Sequence, residues 1–266
     1  MPSPHEARAA VVVTGASGGI GREIAKVAAR EGGPLVLVAR SADALAEAAE
    51  EVRQAGGEPF TLALDLSFPD APAEVESFLA AQNLVCGVLV NNAGYGLLGA
   101  AAALPRAEQL GIVDLNIRAL TELTLRFLPG MVARRSGGII NLSSVASFLP
   151  GPYMALYYAS KAFVRSFSES LSEELRGSGV TVTCVAPGPV TTHFLGRAGA
   201  RQVRLFKALP KVTPEMVARR AWHGFKRGRR LVVPTVMANL SAFAGAHLPH
   251  AFLLPFMARA QRPRER

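Results

Sequence analysis

The chain has 266 residues, half of them hydrophobic and 18% charged, which excludes a disordered or fibrous protein and leaves room for a sizeable core. The formal net charge of +9 suits phosphorylated ligands, acidic carrier proteins or anionic lipids. It comes without zinc-finger spacing or basic–aromatic interleaving, so no nucleic acid partner is expected.

Short β-branched runs alternate with helical patterns along the chain. AAVVVTG (9–15) reads as a strand, GREIAKVAAREG has apolar residues at helical spacing, and LVLVA (35–39) is the next strand. ADALAEAAEEVRQAGG reads as a helix closed by glycines. Further strands are expected at 60–66, 84–92, 137–144, 180–188 and 230–234, and helices near 70–82, 106–135, 153–177 and 213–227. Nearly continuous apolar strands with intervening helices imply an α/β fold, a parallel sheet covered on both faces. Right-handed crossovers make that sheet doubly wound. No linker or repeat interrupts it, so a single domain over 1–266 is the simplest division. Its parts are a core of 9–192 and 213–234, a lid over 193–213 and an apolar extension over 235–266.

The N-terminal MPSPHEARAA lacks the apolar centre of a signal peptide. Cys86 and Cys184 sit in apolar strand-like runs and read as small buried hydrophobes. Both observations place the expected location in a reducing cytoplasm.

Ligands of such sheets bind beyond the carboxyl ends of the strands, and every unusual motif falls at such an end. TGASGGIGR follows the first strand, with glycines at 15, 19 and 21. Gly15 permits a sharp turn, Gly19 lets backbone N–H groups approach a diphosphate, and Gly21 lets the helix pack close to the sheet. The helix N-terminus then faces the anion with the positive end of its dipole. The second strand ends in Ala39, Arg40 and Ser41, without the acid that would hold a ribose 2′-hydroxyl. Arg40 offers a charged fork for a 2′-phosphate, and Ser41 one more hydrogen bond, so NADP(H) is preferred over NAD(H). Asp65, at the end of the third strand, suits either an adenine amino group or a cap in the following turn.

YYASK (157–161) carries the chemistry. Residues four apart share a helix face, so Tyr157, not Tyr158, works with Lys161. A nearby ammonium favours the phenolate, and a shift of about two or three units down from ~10 would put Tyr157 in catalytic range. A carbonyl substrate needs a second polar group. NLSS ends the fifth strand and supplies Ser144, with Ser143 as the fallback. Asn116, inside a long helical pattern, suits a water linking Lys161 to solvent, or is merely an exposed or locally bonded Asn.

TGASGGIGR, NNAG (91–94), Asn116, NLSS, YYASK and PGPVTT (187–192) together resemble the short-chain dehydrogenase/reductase family over about residues 9–192. The resemblance implies a Rossmann-type sheet of seven strands, ordered 3-2-1-4-5-6-7, in a three-layer α/β/α arrangement. In that order another strand separates those of Cys86 and Cys184, too far for a disulfide. It implies Tyr157 as general acid/base, with Lys161 lowering its pKa and holding the nicotinamide ribose. Ser144 would orient the substrate oxygen and Asn116 complete a proton relay. Gly15, Ser17, Gly19, Ile20, Gly21, Arg40, Ser41, Asp65, Leu66, Asn92, Ala93 and Gly94 would bind the cofactor, with Asn91 shaping the pocket. Pro187, Gly188, Val190 and Thr192 would border the nicotinamide. Homodimers or homotetramers through helices 106–135 and 157–177 are a further implication.

The expected reaction is reduction of the carbonyl of a hydrophobic substrate, or oxidation of the matching alcohol. The alternatives are a 3-oxoacyl-[acyl-carrier-protein] reductase and a non-catalytic, membrane-associated NADP-binding scaffold. The lid, with His193 at its start, carries Arg197, Arg201, Arg204, Lys207 and Lys211, either a solvated face or a surface for an acidic substrate or carrier. No metal is expected. The stretch 231–258 is long enough to span a membrane, but Pro234, Pro249 and Pro255 argue against that and against one long amphipathic helix. The tail, similar to those of reductases for lipid-like or ketoacyl substrates, is therefore read as pocket closure or subunit packing, with peripheral membrane contact as a third use.

Overall fold

The computed structural model describes residues 7–191, 198 and 212–262. Thr192, His193, Arg197, Arg201, Arg204, Lys207 and Lys211, and with them nearly all of the expected lid, lie outside the described residues. The strands are β1 (Arg8–Thr14), β2 (Pro34–Ala39), β3 (Glu58–Ala63), β4 (Leu84–Asn91), β5 (Gly137–Leu142), β6 (Val180–Val185) and β7 (Leu231–Val232). They form one parallel sheet in the order β3-β2-β1-β4-β5-β6-β7.

All six residues of β2 are buried, as a strand covered on both faces requires. On one face pack α1 (Gly19–Ala29), α2 (Ala42–Gln54) and α7 (Pro214–Lys226). Their apolar stripes, such as Ile24, Ala25, Ala28 and Ala29 of α1, meet Val217, Ala221, Trp222 and Phe225 of α7 in one core. On the other face lie α3 (Ala71–Ala81), the continuous α4 (Arg106–Val113) and α5 (Leu120–Ala133), and α6 (Ala155–Glu174). Leu79, Leu123, Phe127, Met131 and Leu171 fill the second core. Cys86 on β4 and Cys184 on β6 are buried and free, and β5 runs between their strands. Burial pushes both thiols up, Cys184 to about 12.

Several segments differ from the sequence expectation. β6 stops at Val185, because Pro187 and Pro189 lack the N–H a ladder needs, and β7 is only Leu231–Val232 before Pro234. The helix expected over 106–135 contains a π-helical turn, Asp114–Ala119, around Asn116. The tail forms two helices, α8 (Val236–His247) and α9 (His250–Gln261), joined at Leu248 and Pro249. Pro249 does mark a break, but Pro255 lies inside α9. Ala251, whose carbonyl loses its helical donor there, is exposed, and water can take that donor's place.

The sheet and the second layer are tied by a buried polar chain. Asn91 Nδ2 donates to Thr124 Oγ1 at 3.0 Å and to Asn141 Oδ1 at 2.9 Å. Asn141 Nδ2 donates to Ser168 Oγ at 2.9 Å. These four residues link β4, β5, α5 and α6 where no water can substitute. Asn141→Ala leaves donor and acceptor groups unpaired and is expected to cost on the order of 2–3 kcal/mol. The midpoint of urea denaturation measures it, and an unchanged midpoint would show that the chain contributes nothing.

Candidate active site

β1 ends at Thr14, and the chain turns at Gly15 in the left-handed region, φ +65°. A Cβ on Gly21 would lie 2.3 Å from Asn92 Nδ2 and 2.6 Å from the Gly15 carbonyl oxygen. No side chain fits, and α1 therefore starts tight against the turn. Asn92 locks it further: its Nδ2 donates to the Thr14 and Gly15 carbonyls at 2.9 and 3.2 Å. Thr14 Oγ1 accepts from the N–H groups of Asn92 and Ala93. The N-terminal amides of α1, which have no helical partner, are held at the carboxyl end of the sheet, where an anion would complement them.

A cavity of about 890 Å³ opens at that end. It brings together Gly15, Ser17, Gly19, Ile20, Arg40, Ser41, Asp65, Leu66, Asn92, Ala93, Gly94, Ser144, Tyr157, Lys161, Pro187, Gly188 and Val190. Of the other expected site residues, Gly21 and Asn116 sit behind the wall, Asn91 belongs to the buried polar chain, and Thr192 is not described. At the β2 end Arg40 is 71% exposed, its Nη1 3.9 Å from Asp65 Oδ2. Asp65 Oδ1 accepts from the Ser67 N–H and hydroxyl at 3.0 and 2.7 Å. One oxygen thus makes the turn cap that the sequence left open, while the other faces Arg40. Ser41 Oγ caps α2 by accepting from the Ala44 N–H at 3.3 Å, which leaves its O–H able to donate. The guanidinium and hydroxyl that follow β2, with no acid in the β2 turn itself, could donate to a phosphate on a ribose, the Asp65 carboxylate lying on the β3 side of Arg40.

The reactive end is built on α6. Lys161 Nζ lies 5.9 Å from the centre of the Tyr157 ring and donates to the Leu142 carbonyl at 2.7 Å. Ser143 Oγ donates to the Lys161 carbonyl at 2.8 Å and so clamps α6 to the end of β5. Ser144 hydrogen-bonds Tyr157 and also accepts from the Ala146 N–H at 3.1 Å. Ser143 thus acts as a clamp, and Ser144 is the serine that reaches the phenol. Tyr158 presents its ring edge-on to Tyr157, 6.0 Å between centroids, and its hydroxyl accepts from Gln261 of α9.

The expected lowering of the Tyr157 pKa is not found. Burial pushes the phenol up to about 12, against the smaller opposing effect of the Ser144 bond. Burial also lowers Lys161 to about 8. Burial sets the direction of both shifts. At neutral pH Tyr157 holds its proton and Lys161 remains mostly charged, the pair of states that a proton donor to a carbonyl oxygen needs.

Asn116 is neither exposed nor turned to the cavity. Its Oδ1 accepts from the Tyr95 N–H at 3.1 Å, and its Nδ2 donates to the Tyr95 carbonyl at 2.9 Å and to Ser160 Oγ at 3.1 Å. A side chain so occupied pins the 94–96 segment to α6. Both Nδ2 hydrogens of Asn116 are thereby taken. Gly94 and Gly96 make the approach feasible: a Cβ on Gly96 would lie 3.0 Å from Tyr157 Cδ2, and one on Gly94 2.9 Å from Asn116 Oδ1. Sequence reasoning missed Gly96, Tyr95 and the tail residues Ser241, Ala244, Gly245, Leu253, Phe256 and Met257, which close the cavity. The apolar tail signalled closure without naming them, and nothing local pairs Gln261 with Tyr158.

The sequence profile described as "short chain dehydrogenase" matches residues 9–202. The chain belongs to the short-chain dehydrogenase/reductase family. It is similar to the human very-long-chain 3-oxoacyl-CoA reductase, 37% identical over 205 residues, 75% of this chain and 64% of that protein. The matched region spans about 60% of the length of the Pseudocercospora fijiensis and Rattus norvegicus relatives. Two solved structures match nearly end to end. One is a short-chain dehydrogenase from Sphingobium yanoikuyae in complex with NADPH, at 32% identity and TM-score 0.79 over 97% of this chain and 98% of that one. The other is the bulky-bulky ketone specific alcohol dehydrogenase from Comamonas testosteroni, at 28% identity and TM-score 0.74 over 97% and 95%.

The buried ammonium of this family member makes a stability prediction. Because the folded pKa of Lys161 is below its ordinary 10.5, the unfolded chain binds the proton more tightly. The resulting destabilisation is complete below pH ~8 and fades as pH rises towards 10.5. Lys161→Met is expected to gain on the order of 1–2 kcal/mol at pH 7, even after losing the bond to Leu142, and to raise the melting temperature by about 2–6 °C. The gain should shrink between pH 8 and 10.5. A variant that melts lower than wild type at pH 7 would contradict the argument.

Proposed function

We propose that the protein is an NADP(H)-dependent oxidoreductase that reduces the carbonyl of a bulky apolar substrate, or oxidises the matching alcohol. The observation that carries this reading is the shared cavity: the Tyr157–Ser144–Lys161 group, the glycine turn and Arg40 all face it. Its donors fit the cofactor, with α1 amides for the diphosphate, Arg40 and Ser41 for a 2′-phosphate, and Pro187, Gly188 and Val190 beside the nicotinamide. Thr192 belongs to the same reading. NADPH, when bound, supplies the hydride to the carbonyl carbon. Ser144 and Tyr157 hold the carbonyl oxygen by their hydroxyls. Tyr157, protonated at neutral pH, gives that oxygen its proton as charge develops on it. The Lys161 ammonium stabilises the phenolate left behind, and Asn116 keeps the 94–96 segment in place over the pair.

Leu149, Met154, Tyr158, Leu253, Phe256 and Met257 give the cavity its apolar substrate end. That lining, and relatives named for ketones and 3-oxoacyl-CoA, support a bulky apolar carbonyl. A 3-oxoacyl group on an acidic carrier is the second reading, favoured by the net charge of +9. A cytoplasmic homodimer or homotetramer belongs to the proposal, as does the single-domain division.

Tyr157→Phe removes the proton donor alone. Reduction across a panel of bulky ketones, followed by NADPH absorbance, should fall about 10²–10⁴-fold, while the NADPH dissociation constant stays within about threefold. Undiminished turnover would remove Tyr157 from catalysis; undiminished cellular function without turnover would favour a scaffold. For the cofactor, Arg40→Asp should cut the NADPH-over-NADH preference by about tenfold or more, since one lost charged hydrogen bond of ~1.5–3 kcal/mol suffices. An unchanged ratio takes Arg40 out of the site.

A further inference from the structure

α8 and α9 have two apolar faces. The inner one gives Ala244, Gly245, Leu253 and Met257 to the cavity. The outer one is bare: Val236 is 77% exposed, Leu240 59%, Phe243 65% and Phe252 78%. Eight of the fourteen large apolar side chains exposed among the described residues lie between Val236 and Phe256, so the exposure is a patch and not surface scatter. Phe256 belongs to both faces, lining the cavity while 61% exposed. Phe256 stands where the tail's cavity lining meets its exposed apolar residues.

Charge selects what covers the patch. From Leu231 to Pro263 there is no Asp or Glu, while Arg259 and Arg262 are exposed at the end of α9. A second copy packed face to face must complement itself, and two such hairpins bring like charges together with no carboxylate on either to pair them. An anionic lipid surface matches both the apolar face and the cationic end. Each helix has twelve residues, about 18 Å long against a hydrocarbon core of about 30 Å. No described helix is long and apolar enough to cross a membrane, so the hairpin would lie on the bilayer.

We propose that the outer face of the α8–α9 hairpin docks on anionic phospholipid membranes, with Phe256 at an entrance through which an apolar carbonyl substrate passes from the bilayer into the cavity. The entrance rests on the reductase reading above; the docking does not.

The test is flotation of the full chain with phosphatidylcholine vesicles, with and without phosphatidylglycerol. Wild type should float with the anionic vesicles and much less with the neutral ones. Phe243→Glu with Phe252→Glu, two exposed positions outside the cavity, should weaken partitioning about tenfold or more. Arg259→Glu with Arg262→Glu, tested separately, should remove the preference for anionic lipid. The Phe pair should still reduce a water-soluble ketone at the wild-type rate but lose reduction of a long-chain ketone presented in vesicles. Wild type left at the bottom of the gradient overturns docking, as does flotation untouched by the Phe pair. If light scattering shows that pair dissociating an oligomer that never floats, a second copy covers the face and the proposal fails. Flotation as expected with no ketone reduced leaves docking standing and sinks the reductase reading and the entrance with it.

Discussion

A buried cation, one helical turn from a phenol, is the constraint around which the rest is arranged. Lys161 has exchanged its hydration for the Leu142 carbonyl and the cover of the 94–96 segment. Burial disfavours its charge and the phenolate of Tyr157 alike. Neither shift helps the fold. Ser143 holds the helix that presents the pair, and Asn116 holds the segment that covers it. The surrounding hydrogen bonds keep a costly arrangement in one geometry, which is how strained or desolvated sites persist in stable proteins.

Most of the sheet was legible in the sequence because its strands are buried on both faces. PLVLVA and its neighbours read as continuous apolar runs, and such runs between helices leave few topologies. The ends were less legible, since they depend on where prolines fall relative to the ladder and on pairing partners. Pro255 inside α9 shows the limit of proline as a breaker: its cost is small where the freed carbonyl meets solvent. The π-turn at Asn116 was invisible to a periodicity argument, because one extra residue in a turn does not alter an apolar stripe enough to notice.

At the site, spacing carried the reading wherever the chemistry needs two groups on one element. Tyr157 and Lys161 are such a pair, and so are the glycines of the first turn. It failed where groups meet across the chain. Gln261 reaches Tyr158 from 103 positions away, and Gly96 meets Tyr157 from a loop with no periodic pattern. The pKa expectation overlooked burial: sequence shows that a charge is near, but not how much water has been removed from both groups. The tail was read as closing the pocket or packing a subunit, and its inner face lines the cavity. That its outer face would be equally apolar follows only once both helices have directions.

The two sulfur atoms of the chain have a practical implication. Cys86 and Cys184 are its only cysteines, both enclosed and both with thiols held far from ionisation. Thiolate is the species that reacts with maleimides and iodoacetamides, so the native protein offers a silent background. A single cysteine placed on α8 or α9 could carry a fluorophore or spin label without first stripping the natural pair, and the depth and motion of the hairpin could then be read in the intact molecule.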